Sequence, residues 1–348
     1  MNKRILWGLA PIAIAVGLAG CGGNAENTDT ASTPSAMDGA PVGGEGAKLA
    51  GSVKADGSST VGPITQAMAE GFQEGQPGVN VTVGISGTGG GFKKFAAGEL
   101  DIADASRPIK EKEAAAAKAK GVEFIELPVA YDGLAIVVNP KNTWTKSLTT
   151  AELKNIWVAG SKINNWSQVR KGFPNKPLKL FGPGTASGTF DYFVEEILGK
   201  GGKCRADYTA SEDDNTLVVG VSKEEGALGY FGYAYYEENK AKLKDVAVDA
   251  GKGAITPSSE TIMNGSYAPL SRPLFIYVST KAMERPEVKG FVDYYLQNAN
   301  TKVADVGYVA LPDTLYTTIQ KRFADGTTGS VYGGKIEGGT LESLYGAK

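Results

Sequence analysis

The chain has 348 residues, 42% hydrophobic and 21% charged, enough for one large or two medium domains with a substantial core. Its formal net charge is −2 with no basic block, which excludes the electrostatic footprint of a nucleic-acid binder and leaves any anionic ligand to local donors. It has no histidine, which excludes Ser-His-Asp and Cys-His catalysis and His-based metal sites, and its two cysteines, Cys21 and Cys204, cannot build a zinc cluster.

Lys3 and Arg4 precede an apolar run from Ile5 to Ala19, too short for a spanning helix, so residues 1–20 read as a secretory signal. The ending Leu18-Ala19-Gly20-Cys21 resembles a bacterial lipobox, with cleavage after Gly20 and lipid, palmitate included, on Cys21. The alternative is a plain signal peptide with an incidental Cys21. Several acyl chains on one residue would anchor the protein stably. Lipidation leaves Cys204 a lone thiol, expected to be buried and inert. Residues 21–50 lack any apolar period and are rich in Gly, Ala, Ser, Thr, Pro and Asn, so they read as a flexible tether; the globular part starts near Gly51.

Ser52 to Ala55 is a short strand, and the turn Asp56-Gly57-Ser58-Ser59-Thr60 leads into a helix with Pro63 in its first turn and Ile64, Ala67, Met68 and Phe72 on its apolar face. Val79, Val81, Val83 and Ile85 alternate as a strand, broken by Ser86 to Gly91 before a helix from Phe92 to Ala97. Leu100 to Ala105 is a strand ending in Ser106-Arg107-Pro108, and residues 110–120 form a solvated helix. Val122 to Leu127 and Val129 to Val138 read as two β-branched strands, and Thr150 as the cap of a helix running to Ile156.

After Leu178 to Phe181, the loop 182–190 opens a helix whose Phe190, Phe193, Val194, Ile197 and Leu198 share one face. Leu217 to Val221 is a short helix or strand, and Gly226 to Tyr236 is strand, turn and helix start. Leu274 to Ser279 is a buried strand, Glu287 to Gln297 and Thr314 to Phe323 are helices, and the Gly-rich end from Thr327 is loose or packs late. The alternation predicts an α/β protein with mostly parallel sheets.

Three strands end in Ser/Thr/Gly loops that start helices, at Ser58–Thr60, Ser86–Gly91 and Ser187–Thr189, and a fourth ends in Ser106–Arg107. Unpaired N–H groups and the positive helix end suit an oxyanion there, and ligands of open α/β sheets bind beyond the carboxyl ends of strands. Each loop alone reads as an ordinary capped helix start, and Arg107 alone as an ion-pair partner; four together favour one shared site. Several charge-assisted bonds, each about 1.5–3 kcal/mol, reach the roughly −8 kcal/mol of a micromolar site. Nucleotide fingerprints fail, because Phe92 stands at the sixth position of Gly-x-Gly-x-x-Gly and Lys93 does not follow a glycine. Without histidine Ser187 has no general base, so a hydrolase is the weakest reading.

Asp-Gly-Ser-Ser-Thr-Val (56–61), Ser-Gly-Thr-Gly-Gly-Gly-Phe (86–92), Asp-Ile-Ala-Asp-Ala-Ser-Arg-Pro-Ile (101–109), Gly-Thr-Ala-Ser-Gly-Thr-Phe (184–190), Gly-Tyr-Phe-Gly-Tyr-Ala-Tyr-Tyr (229–236) and Ser-Arg-Pro-Leu-Phe-Ile-Tyr-Val (271–278) follow one another in this chain. In combination, over about residues 51 to 322, they resemble the substrate-binding proteins of high-affinity phosphate ABC transporters. The resemblance implies a two-lobed, type II periplasmic-binding fold with two mixed sheets flanked by helices. It places hinge crossings near Asp132–Val137 and Pro269–Phe275, lobe one at 51–131 plus 275–348, and lobe two at 136–270. It further implies a monomeric, extracytoplasmic protein, not an enzyme and without cofactor or metal, whose partners are inorganic phosphate, permease subunits and, through Cys21, the membrane.

By motif match the phosphate falls on Thr60 and the Val61 N–H, on Ser86 or Thr88, and on Ser187, Gly188 and Thr189, and the loops add Ser59, Gly89, Ser106, Arg107 and Thr185. Well-known members end the third stretch in an acidic residue where Ser106 stands, and carry Arg and Asp where Pro183 and Thr185 stand. Arg107 is therefore expected to supply the guanidinium. Asp104, Asp56 and Asp214 are candidates for the carboxylate that accepts the phosphate proton and so rejects sulfate. The rival readings are a binder of sulfate, molybdate or another oxyanion, and a phosphate-binding sensor or adhesin without transport.

Overall fold

A computed structural model describes residues 48–333 and 340–346; the signal sequence, Cys21 and the tether up to residue 47 lie outside these residues. The first strands, β1 (Gly51–Gly57), β2 (Val79–Gly84) and β3 (Ile102–Ala105), run parallel with β1 in the middle. β4 (Phe124–Val138) is buried along its whole length. The sequence suggests two strands here, split at Pro128. The register against β12 (below) shifts by one residue there, since Leu274 faces Ala130 while Phe275 faces Pro128. Val129 is the extra residue of a bulge, a place where a proline lacking its N–H is tolerated.

Next come β5 (Ser147–Thr149), β6 (Lys179–Pro183), β7 (Thr209–Ser211), β8 (Ala227–Gly232), β9 (Lys244–Asp245), β10 (Ala247–Asp249), β11 (Ala254–Ile255) and β12 (Ser271–Ser279). The large sheet runs β2-β1-β3-β12-β4-β8-β6-β7, with β9 also on β4, and a small sheet runs β11-β10-β5. β4 belongs to two halves of the large sheet: Phe124 to Gly133 pair with β12, and Leu134 to Val138 with β8. The expected predominance of parallel pairs does not hold. β12 runs antiparallel to both β3 and β4, and β4 antiparallel to β8, so the sheet is mixed.

The helices are α1 (Gly62–Gly75), α2 (Thr88–Ala96), α3 (Glu111–Ala119), α4 (Thr150–Trp157), α5 (Trp166–Val169), α6 (Gly188–Phe193), α7 (Asp214–Lys223), α8 (Tyr233–Glu238), α9 (Ser259–Met263), α10 (Pro286–Asp305), α11 (Asp313–Ala324) and α12 (Leu341–Tyr345). α1 buries Ile64, Met68 and Phe72 on one stripe, with Pro63 in its first turn where its missing N–H costs nothing. The cap of α4 is Thr149, one residue before the expected Thr150, in a reciprocal box with Glu152. No helix among the described residues is long and apolar enough to cross a membrane.

The described parts of the Gly-rich end, 327–333 and 340–346, pack on the body. Glu126 on β4, fully buried, accepts from the Tyr345 hydroxyl (2.8 Å), the Val331 N–H (2.9 Å) and the Tyr277 hydroxyl (2.8 Å). Three donors satisfy a carboxylate that has left water.

Candidate anion-binding site

A cavity of about 680 Å³ opens where β1, β2 and β3 end. Ser58, Ser59 and Thr60 after β1, Gly87 to Gly89 at the start of α2, and Ser106 to Pro108 with Lys110 after β3 form one wall. Asp191 and Tyr192 of α6, Glu195 and Glu196 of the π-helical turn that continues it, and Lys200 form the other. Pro269 and Ser271 to Pro273, where β12 begins, close the base.

The first wall is held by contacts beneath it. Gly57 has φ +150°, and a Cβ there would stand 2.1 Å from the Asp104 carbonyl oxygen, so only glycine lets β1 turn this close to β3. The same carbonyl accepts from the Ser58 N–H at 2.9 Å. Ser58 Oγ, buried, accepts from the N–H groups of Thr60 (3.1 Å) and Val61 (3.4 Å). Val61 is thus an interior residue whose amide is already engaged. Thr88 and Ser106 share a hydroxyl–hydroxyl bond of 3.1 Å, and the Ser106 N–H donates to Thr88 Oγ1 at 3.2 Å, which joins the β2 and β3 loops.

Ser86 and Asp56 sit behind the cavity. Ser86 donates through N–H (3.0 Å) and hydroxyl (2.6 Å) to Asp56 Oδ1, and Lys94 holds Oδ2 at 2.5 Å. Burial would raise the Asp56 carboxyl, but the bonds from Lys94 and Ser86 outweigh it and hold it below its usual range.

Asp104 is fully buried below the β1 turn. Its Oδ1 accepts from Thr65 Oγ1 at 3.0 Å, Thr65 bonds the Tyr295 hydroxyl at 3.2 Å, and its Oδ2 has no partner. Burial, with the charge of Asp56 adding and the Thr65 bond opposing, pushes this carboxyl up to about 7. Asp214, on α7, is also raised to about 7, by burial and by neighbouring Asp213 and Glu212. Neither Asp104, Asp56 nor Asp214 lines the cavity; the carboxylates that do are Asp191, Glu195 and Glu196. Burial raises Glu196, with Arg272 opposing.

Ser59, Thr60, Thr88, Gly89, Ser106 and Arg107 line the cavity, as the sequence suggests; Val61, Ser86, Thr185, Ser187, Gly188 and Thr189 do not. Thr185 is exposed. Ser187 caps α6, its hydroxyl accepting from the Thr189 N–H at 3.1 Å. Gly188 packs against the β1 turn: a Cβ there would lie 2.8 Å from Ser59 C and from Thr60 N. Ser59 Oγ donates to Asp191 Oδ2 across the same gap at 3.2 Å.

Arg107 is committed to its own side. Nη1 and Nη2 each donate to Glu113 of α3 at 2.9 Å, Nη1 also donates to the Pro108 carbonyl, and the guanidinium lies 5.5 Å from the Phe92 ring centroid. Against the burial that would raise it, Arg107 holds the Glu113 carboxyl low. The positive charge of Arg107, then burial, pushes the Lys110 ammonium down.

The residue that sequence reasoning missed is Arg272. Its Nη2 donates to Thr60 Oγ1 at 2.9 Å, its Nε and Nη2 donate to Asp132 Oδ2 at 3.3 Å each, and the guanidinium lies 3.5 Å from the Tyr192 ring centroid. Its signal is the Ser-Arg-Pro of 271–273, which the sequence offers as part of a resemblance motif and of the return hinge crossing. Cys204 is half-buried, and burial pushes its thiol up to about 11, so it stays protonated.

Residues 42–299 match the model of the PBP superfamily domain. Protein SphX of Synechococcus elongatus is 54% identical over 300 residues, covering 85% of this chain and 88% of the relative. Phosphate-binding protein PstS of Staphylococcus saprophyticus is 40% identical over 329 residues, 93% of this chain and 95% of the relative. The crystal structure of a possible phosphate binding protein from Planctomyces limnophilus superposes with a TM-score of 0.77 at 52% identity, covering 80% of this chain and 99% of that one. With its mixed sheets joined through β4 and its cavity at the ends of β1, β2 and β3, the chain belongs to the PBP superfamily, in the family that holds SphX and the phosphate-binding protein PstS.

Proposed function

We propose that this protein is an extracytoplasmic, monomeric binding protein that takes up inorganic phosphate in the cavity and delivers it to an ABC permease, without catalysing a reaction. The observation that carries the reading is the convergence of Thr60, Thr88 and Ser106 hydroxyls, from three separate strand ends, on one cavity with four cationic side chains, Arg107, Lys110, Lys200 and Arg272, around it. Hydroxyls donate to phosphate oxygens and accept from a protonated one. Asp191, Glu195 and Glu196 on the facing wall disfavour a fully ionised dianion such as sulfate and tolerate phosphate that keeps a proton. The partner switch of β4 between Gly133 and Leu134, and the start of β12 at Ser271, support a division into lobes 51–131 plus 275–348 and 136–270.

Titration calorimetry with phosphate and sulfate from pH 5.5 to 8.5 tests the ligand. Phosphate is expected to bind tighter throughout, and tighter sulfate binding would overturn the assignment. The Leu-Ala-Gly-Cys ending supports lipidation of Cys21 after signal removal. Labelled palmitate is expected in the mature protein and absent from Cys21→Ser; equal labelling of both would refute the anchor.

A further inference from the structure

Two arginines reach the cavity, and they are bonded in opposite ways. Arg107 meets Glu113 in a two-bond fork with both N···O distances at 2.9 Å, the geometry in which a guanidinium and a carboxylate satisfy each other. Arg272 meets Asp132 through one oxygen, Oδ2, at 3.3 Å from both nitrogens, and its Nη1 donates to no described residue. More of the donor capacity of Arg272 is therefore open to an incoming oxygen. Its bond to Thr60 points the same way. Thr60 Oγ1 accepts from Arg272, which leaves the threonine's own proton free to donate into the cavity.

The mounting of this side chain adds a second consequence. Arg272 faces Asp132 in the β12–β4 ladder, next to the pair Ser271–Gly133, and β4 passes to β8 at Leu134. It stands where the backbone crosses between the two halves of the sheet. Its edge touches Thr60 before α1 while its face lies on Tyr192 of α6, whose hydroxyl is fixed by the Pro269 carbonyl at 2.8 Å. A cation on the face of a tyrosine is attracted by the ring, and more strongly when water is excluded.

We propose that Arg272 is the guanidinium that receives the bound anion, and that from its place on the crossing strand it ties the Thr60 turn and α6 to that anion together. Arg107, spent on Glu113, contributes charge at longer range. The bland alternative is that Arg272 only braces the crossing through Asp132. This inference rests on the phosphate reading above.

The test measures phosphate and sulfate affinity by calorimetry, with anion-induced shifts in melting temperature, for the parent, Arg272→Gln, Arg272→Lys and Arg107→Gln. Arg272→Gln is expected to lose about 10- to 100-fold in phosphate affinity, and most of the phosphate-induced melting shift, as fits the loss of a charge-assisted bond. Arg272→Lys keeps the charge without the fork and should fall between. Arg107→Gln should lose less than Arg272→Gln. A brace alone would lower the ligand-free melting temperature and leave the phosphate-induced shift intact, which overturns the proposal, as does affinity for Arg272→Gln within about threefold of the parent. If Arg272→Gln does not fold, Arg272→Lys decides, and parental affinity in it overturns the proposal. A parent that prefers sulfate refutes the phosphate reading alone, and Arg272 is then judged by the same losses on sulfate. A parent that binds neither anion overturns both.

Discussion

The wall at the ends of β1, β2 and β3 presents hydroxyls, while the wall of α6 presents Asp191, Glu195 and Glu196. The first rests on the buried bonds of Ser58 to Asp104 and of Asp104 to Thr65 to Tyr295, and on the part-buried bonds of Ser86 to Asp56 to Lys94. The second is the six-residue α6 capped by Ser187, and it reaches the first through Ser59–Asp191 and the close approach of Gly188. A symmetric clamp would put hydroxyls on both sides; here the second wall sets Lys200 among three carboxylates. On the phosphate reading proposed above, binding falls to the platform and closure to the α6 side. Arg272 is the element common to both.

The largest expected effect sharpens the platform side. The Asp104 carboxyl, pushed up to about 7 from an ordinary 3.8, keeps a proton that the unfolded chain gives up. Folding therefore binds a proton between these values, and stability falls as pH rises from about 4 to about 7, then levels off. Asp104→Asn keeps an acceptor for Thr65 and removes the titration. In denaturant unfolding it should match the parent near pH 4 and exceed it at pH 8 by on the order of 2–4 kcal/mol. Asp214, also raised to about 7, leaves a similar slope in both proteins, so the difference isolates Asp104. Equal pH dependence of parent and variant would mean that Asp104 ionises normally and the platform is not held by a protonated acid.

The smaller effect probes the cover. Ser187→Ala removes the cap of α6 and should cost about 1 kcal/mol of stability. Phosphate affinity should change by less than about threefold, because the hydroxyl serves the Thr189 N–H rather than the cavity. A large loss of affinity with stability unchanged would break the comparison and return Ser187–Thr189 to the ligand set.

Much of the platform was legible in the sequence because its devices are local: glycine at a tight strand end, a hydroxyl two residues before the amide it accepts from, β-branched alternation. Thr60, Thr88 and Ser106 could be grouped because each follows a readable strand. Arg272 could not, since its partners Thr60 and Asp132 lie 212 and 140 residues away in the chain. Arg107 was assigned the anion because Pro183 stands where the family carries its arginine, and the fork with Glu113 of α3 forms only in the folded turn. Pro128 concealed the continuity of β4, because a bulge looks like a strand end in sequence. The glycines of the C-terminal stretch left it loose or packed late, and what decides between the two is Glu126, 219 residues from Tyr345.

The position of β12 also bears on the order in which the molecule is made. This strand lies between β3 and β4 and completes the sheet, with Phe275 beside Ala105, although it is the last strand among the described residues. A chain emerging N-terminus first carries β3 and β4 with open edges until everything up to Ser279 has followed, a non-local closure of the kind that folds slowly and needs protection from misassociation. The same strand carries Arg272. A chain whose β12 is not yet made or not yet paired therefore lacks, at the cavity, the cation that we place at the anion, and competence to capture ligand arrives with the pairing of this strand, so that anion binding doubles as a report that the sheet is complete.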